Sequence, residues 1–241
     1  MKTSKIEWTE RTWNPVTGCT KISPGCQHCY AEVMANRLHA MGQAKYANNF
    51  KSTMHEEEVT LPLSWTQPSL VFVCSMSDLF HPDVSFEFID KILNVMEITP
   101  HHTYQLLTKR ANRMQEYFSK RKVPDNVWVG VTIESSTTKH RIDCLNRILA
   151  STKFISFEPL LDDIGDIDLS SIQWVIVGGE SGPKARRMEK EWVLSIKKKA
   201  NENNVPFFFK QWGAWGEDSV KRSKKANGRT LDGKIYSSMP K

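Results

Sequence analysis

Trp174-Val-Ile-Val-Gly178 is an unbroken apolar run closed by a glycine pair, Gly178-Gly179, and an acid, Glu180. A short run of this kind predicts a strand covered on both faces, the habit of parallel sheets. Working outward, the pattern recurs at Leu70–Ser75, Thr103–Thr108, Val127–Ile133, Lys153–Phe157 and Pro206–Lys210. Trp13–Gly18 supplies a more weakly marked first strand. Between these runs, Ala31–Met41, Phe86–Met96, Arg110–Lys120, Thr138–Ala150 and Glu189–Asn201 place apolar residues three or four apart, as helices do. Strand–helix alternation implies parallel strands joined by crossover helices. Six or seven such units suit a partial or complete (β/α) barrel at the small end of that class. A doubly wound open sheet is the alternative, because strand order is not legible in the sequence. The polar stretch Gly42–Thr60 reads as a loop or insertion. Residues 1–215 form the barrel domain. Residues 216–241, with Lys221, Arg222, Lys224, Lys225 and Arg229, form a basic C-terminal extension packed on it or trailing from it.

The chain has 241 residues and a formal net charge of +6, a balance compatible with a nucleic-acid partner. No apolar run approaches the ~20 residues a membrane helix needs. The first eight residues lack the apolar centre of a signal peptide. A cytoplasmic protein without a membrane partner is expected.

Three of the five cysteines crowd into Gly18-Cys19-Thr-Lys-Ile-Ser-Pro-Gly-Cys26-Gln-His-Cys29-Tyr30, spaced C-x6-C-x2-C. In a reducing compartment such a group binds metal more often than it forms disulfides. Three thiolates can hold three irons of a [4Fe–4S] cubane, leaving the fourth open to an outside ligand. S-adenosylmethionine (SAM) is such a ligand. Its amino and carboxylate groups occupy the open iron, and an electron passed to the sulfonium releases a 5′-deoxyadenosyl radical. A zinc site is the competing reading. It needs a fourth ligand, His28 or His39, and adjacent His28 and Cys29 fit one tetrahedral ion awkwardly.

Further segments extend the pattern. They are Trp13-Asn-Pro-x-x-Gly-Cys19, Cys26-x-x-Cys29-Tyr30, Leu107-Thr-Lys-Arg110, Ser156-Phe-Glu-Pro159, Gly178-Gly-Glu-Ser-Gly182, Phe209-Lys-Gln-Trp-Gly213 and Gly228-Arg-Thr-Leu-Asp-Gly233. On these the chain resembles a phage-associated bacterial family of radical-SAM-like proteins, usually named after phage gene products. More loosely it is similar to the spore photoproduct lyases, radical-SAM enzymes of DNA repair. Those have a Ser/Thr-Asp pair ending the strand after the cysteine loop and a Thr-Lys ending the next. Ser75-Met-Ser77-Asp78 and Thr108-Lys109 stand in those places, and the resemblance implies a SAM role for them. The first gap of the cysteine motif is longer than the commonest radical-SAM spacing.

Barrel enzymes gather functional groups at the C-terminal ends of their strands. Here Ser75, Ser77 and Asp78, then Lys109, Thr132 with Glu134, Ser156 with Glu158, Gly178 to Glu180, and Lys210 to Trp212 all follow apolar runs. Such clusters are expected to share one mouth. Asp78 or Ser77 suits the SAM ammonium, Lys109 its carboxylate, and Glu134 its ribose. His28 or Tyr30 suits the adenine. Ser75, Thr132, Glu158, Gly178 and Gly179 complete the expected cofactor contacts. Candidate catalytic groups are Glu180, Lys210 and Cys74, although strand alternation turns Cys74 toward the helices. Lys184, Arg186, Arg187, Lys210, Gln211 and Trp212 are candidates for substrate or nucleic-acid contact. The expected function is a radical-SAM enzyme acting on DNA or RNA, in lesion repair or base modification, with an electron donor and a possible protein partner. The alternatives are the same chemistry on a small molecule or peptide, and a zinc protein that binds nucleic acid without catalysis.

Overall fold

Strand β1 (Arg11–Trp13) leads into β2 (Val16–Thr17), which pairs antiparallel with β3 (Thr53–Met54). Strand β3 and two short 3-10 turns, Ala44–Tyr46 and Glu56–Glu58, lie in the stretch Gly42–Thr60 that the sequence reads as a loop or insertion. Helix α1 (Tyr30–Ala40) follows the cysteine segment. The chain then runs through β4 (Leu70–Val73), α2 (Phe86–Ile98), β5 (Thr103–Thr108), α3 (Ala111–Phe118) and β6 (Val127–Thr132). It continues with α4 (Arg141–Asn146), β7 (Thr152–Phe157), β8 (Trp174–Gly178), α5 (Lys190–Glu202) and β9 (Phe207–Gln211). It closes with a short helix α6 (Lys224–Asn227) and a hairpin of β10 (Thr230–Leu231) and β11 (Lys234–Ile235). This computed structural model describes residues 4 and 6–240, so the outermost ends of the two expected domains lie outside the described residues.

The strand order β1-β4-β5-β6-β7-β8-β9 follows the chain without reversal. A doubly wound sheet reverses direction at a switch point. The absence of one decides for the singly wound, parallel, partial-barrel class. The chain divides into two compact units, Met1–Ile22 with Cys29–Val129 and Arg147–Ser151, and Ser23–His28 with Gly130–Asn146 and Thr152–Lys241. In the first, β1, β4 and β5 pair in parallel, with Trp13 opposite Val73 and Val73 opposite Leu106. Its core is Trp13, Phe80, Ile89, Ile92, Leu93, Met96, Tyr104 and Leu106, all fully buried. Ser85 caps α2 by accepting from the Phe88 N–H.

In the second unit β7, β8 and β9 pair in parallel, and Trp174, Phe154, Phe157 and Phe209 fill the core. Gly130 lies flush against the Phe154 ring, where a Cβ would collide. The tail is bonded into this unit. Trp212 Nε1 donates to the Thr230 carbonyl at 2.7 Å, the Phe209 N–H to the Tyr236 carbonyl at 3.0 Å, and Trp174 Nε1 to the Ser238 carbonyl at 2.9 Å. No helix among the described residues is long and apolar enough to cross a membrane.

Candidate functional site

In the first unit the cysteine segment is stitched to the end of β4. Gly18 has a φ of +76°, and the Lys51 carbonyl occupies the space a side chain would need, so the position tolerates only glycine. The Gly18 N–H donates to the Met76 carbonyl at 3.1 Å, Ser77 Oγ to the Gly18 carbonyl at 2.6 Å, and the Cys19 N–H to the Phe50 carbonyl at 3.0 Å. Ser75 Oγ donates to Asn14 Oδ1 at 3.1 Å, and the Ser75 carbonyl accepts from the Tyr30 hydroxyl. Ser75, Ser77 and Tyr30, all expected at SAM, therefore anchor the loop through their hydrogen bonds.

Asp78 is buried and its carboxylate is filled. Oδ1 accepts from Thr108 Oγ1 at 2.7 Å and the Phe80 N–H at 3.0 Å, and Oδ2 from the Lys109 N–H at 3.1 Å and Arg110 Nη1 at 3.3 Å. Arg110 passes this anchoring to the cysteine segment. Its Nη1 donates to Cys19 Sγ at 3.5 Å, and its Nη2 to the Thr20 carbonyl at 3.0 Å and Thr20 Oγ1 at 2.8 Å. The guanidinium thus stands between a buried carboxylate and a cysteine sulfur. Arg110 and Asn14 are not among the sequence-derived candidates, although both lie in quoted motifs. The signal was their place beside Lys109 and just ahead of the cysteine loop. Burial, then the Arg110 charge, pushes the His81 imidazole down. Lys109 itself is half-buried at the end of β5.

Cys74 corrects one expectation. Strand β4 ends at Val73, and Cys74 has a φ of +59°, so strand alternation does not reach it. It is buried, and burial pushes its thiol well above the ordinary range. Cys144 is likewise buried, on α4.

In the second unit the turn Ser23–His28 carries Cys26 and rests on two arginine–carboxylate pairs. Glu134 has no exposed surface. Its Oε1 accepts from Ser23 Oγ at 2.5 Å and its Oε2 from Arg141 Nη1 at 2.7 Å. Arg141 also donates to the Thr132 carbonyl at 2.6 Å. Gly25 lies against Glu134, whose Cγ would sit 2.5 Å from an added Cβ. Glu134 therefore forms the floor of the Cys26 turn, one carboxylate oxygen on Ser23 and the other on Arg141, and the Thr132 carbonyl helps hold Arg141. The second pair is Glu180 and Arg186. Glu180 accepts from Arg186 Nη2 at 2.6 Å, from its Nε at 2.9 Å and from its N–H at 2.7 Å, and lies 3.3 Å from His28 Nδ1. Burial pushes the Glu180 carboxyl up. The hydrogen bonds from Arg186 and His28 outweigh burial and hold it below its ordinary value. Arg186 Nη2 also donates to the Pro24 carbonyl at 3.0 Å and Nη1 to Gln27 Oε1 at 3.4 Å.

Farther along the same sheet edge, Lys210 Nζ donates to Glu158 Oε1 at 2.6 Å, and Gln211 Nε2 reaches the same oxygen at 3.5 Å. Gly178 leaves room beside that carboxylate. Ser156 Oγ and Gln211 Oε1 are buried without a hydrogen-bond partner. The Trp212 carbonyl occupies the space beside Gly179 where a Cβ would be, and the Trp212 ring is buried, closing the core rather than lying open to a base. Lys184 and Arg187 are exposed on the loop after β8, and Arg187 pairs with Glu189 at 2.9 Å.

All five cysteines are free thiols, and Cys19, Cys26 and Cys29 are half-buried. Among the described residues no group of three or more His, Cys, Asp or Glu side chains is gathered to hold a metal ion. The chemistry of the donors nevertheless fits an iron–sulfur cluster: three unbridged, accessible thiols with a cation at one sulfur. Zinc would need a fourth ligand beside the three thiols, and the Nδ1 contacts of the two candidate histidines are of the kind that orient a ring whose Nε2 binds a metal. His28 Nδ1 faces Glu180, and His39 Nδ1 lies 3.0 Å from the Tyr46 carbonyl.

No curated protein matches the chain. Among solved structures it is similar to a cysteine-to-serine mutant of spore photoproduct lyase. That likeness has a TM-score of 0.51 and 12% identity, covering 84% of this chain and 64% of that one. The lyase complexed with a dinucleoside spore photoproduct gives the same values. A tyrosine-to-phenylalanine mutant gives a TM-score of 0.50 at 12% identity, with the same coverage. At this identity the likeness is one of fold, and the chain spans less than two thirds of the lyase's length. A family model described as "Protein of unknown function (DUF5131)" matches residues 3–240, nearly the whole sequence, and the chain belongs to that family.

Proposed function

We propose that this chain is a radical-SAM enzyme in which Cys19, Cys26 and Cys29 hold a [4Fe–4S] cluster, SAM takes the open iron, and nucleic acid is the substrate. The observation that carries the reading is the C-x6-C-x2-C set of unbridged, half-buried thiols, placed directly before α1 in a sheet of the spore photoproduct lyase class. When bound, the cluster supplies the one-electron chemistry that splits a carbon–sulfur bond of the sulfonium.

The chain's own residues hold and orient. Arg110 keeps a positive charge at Cys19 and is itself fixed by Asp78. Glu134 with Arg141 and Glu180 with Arg186 fix the turn of Cys26. Lys109 suits the SAM carboxylate as a point charge. The Glu158–Lys210 pair, with Ser156 and Gln211, offers donors and acceptors to a ribose or a base. A nucleic-acid substrate is supported by the net charge of +6 and by the dinucleoside photoproduct held by one of the similar structures. An electron donor is required, and a second protein is compatible with this reading.

Metal analysis of anaerobically purified chain tests the assignment. Iron with acid-labile sulfide, both lost in Cys26→Ser, is the expected result. Zinc without iron would replace the cluster with the zinc alternative.

A further inference from the structure

We infer that the loop 181–187 and the segment 215–225 form a ledge that binds the phosphodiester backbone of a nucleic acid and leads it to the Cys26 turn. The inference rests on the nucleic-acid reading above and adds the surface that would deliver the strand.

The basic charge is unevenly placed along the chain. Residues 183–191 and 215–225 hold eight basic residues against four acidic ones, a surplus of four in a chain whose whole surplus is six. The basic balance is therefore concentrated in two short segments, which a uniformly solvated surface does not require. Some of these cations are committed internally. Arg186 is held by Glu180, Lys190 by Glu217 and Asp232, and Arg222 by Asp218. Lys184, Arg187, Lys221 and Lys225 remain exposed. The Arg187–Glu189 pair is a surface ion pair, and such pairs are worth little and exchange readily for phosphate.

The two segments are joined, since Trp215 Nε1 donates to the Ala185 carbonyl at 2.8 Å and Lys221 Nζ to the Pro183 carbonyl at 2.5 Å. Lys221 also lies 5.3 Å from the centre of the Trp215 ring, which steadies its ammonium. On the other side Arg186 ties the same loop to Pro24 and Gln27, the residues flanking Cys26. The loop that carries the exposed Lys184 and Arg187 is thus bonded, through Arg186, to the turn that carries a proposed cluster ligand. Phosphate oxygens spaced along a strand are the complementary partner.

Fluorescence anisotropy tests this with labelled single-stranded DNA, duplex DNA and single-stranded RNA of about 20 nucleotides, titrated at several salt concentrations. The variant is Lys184→Gln/Arg187→Gln/Lys221→Gln. A matched control, Lys91→Gln/Lys120→Gln/Lys122→Gln, removes the same charge elsewhere. Wild type and control should bind with a steep salt dependence. The ledge variant should lose about tenfold or more in affinity and shed roughly two to three from the salt slope. Lys184→Gln/Arg187→Gln keeps Lys221 and its bond to Pro183, and should show a smaller loss in the same direction. Equal losses in ledge variant and control, or no salt-dependent binding of any of the three polymers by wild type, overturns the inference. The assay does not depend on the cluster. An iron-loaded chain that binds none of the polymers refutes the ledge together with the nucleic-acid reading, equal losses in ledge variant and control refute the ledge alone, and a chain that binds but holds zinc refutes the cluster reading alone.

Discussion

Glu134 gives the sharpest test of how the Cys26 turn is supported. Its side chain has no exposed surface, that of Arg141 only 5%, and the two meet at 2.7 Å. Glu134→Ala leaves a buried guanidinium with the Thr132 carbonyl as its remaining partner here, and takes the floor from Ser23 and Gly25. Breaking a buried pair by removing one member costs about 3–5 kcal/mol, because the other charge stays desolvated. Domains have about 5–15 kcal/mol in total, so roughly a fifth or more of the stability should go. Urea denaturation followed by circular dichroism would read this as a lower midpoint at unchanged slope. The double variant Glu134→Met/Arg141→Met removes both charges, and such replacements are often neutral. It should cost less than the singles Glu134→Met and Arg141→Met added together, by a coupling of more than about 1 kcal/mol. A single-variant cost below about 1 kcal/mol, or a double variant equal to the sum of the singles, would refute the reasoning.

Three further outcomes follow from the same geometry. Glu180 is held below its ordinary carboxyl value, so its contribution to stability is full above that value and fades as pH falls through the depressed one; Glu180→Gln should flatten the fall in urea midpoint between about pH 5 and pH 3. Gly18→Ala forces a side chain into the Lys51 carbonyl at positive φ and should destabilise by more than about 1 kcal/mol, read as a lower melting temperature. Arg110→Gln removes the cation at Cys19 and loosens Thr20, so a reconstituted cluster should be lost to a chelator several times faster than in wild type, measured by its visible absorbance.

Much of the fold was legible because buried parallel strands are written as unbroken apolar runs. Thr103–Thr108 and Trp174–Gly178 match their strands residue for residue. The run at Leu70 overshoots, since Cys74 leaves the strand through a left-handed backbone that an apolar side chain does not announce. The helix expected over Thr138–Ala150 is cut to Arg141–Asn146. Ser135 and Thr138 close a capping box around a 3-10 turn, and Leu149 projects into solvent. The pairing of β2 with β3 depends on residues nearly 40 apart, which no local periodicity encodes. The site was legible as a set of strand-end polar residues, but their partners were not. A strand-end acid looks the same whether it meets a ligand or an arginine, and Asp78, Glu134 and Glu180 all meet arginines. What separates the two roles is the position of Arg110, Arg141 and Arg186 in space.

In the proposed function three thiols of one loop support radical-SAM chemistry. Its most direct measurement is 5′-deoxyadenosine formation from SAM and a chemical reductant by anaerobically reconstituted chain, with Cys29→Ala in parallel and with DNA present or absent. Product is expected from wild type and none from the variant, with a brown, iron- and sulfide-containing wild-type protein. No product from an iron-loaded wild type, or equal product from Cys29→Ala after it has lost its iron, would contradict it.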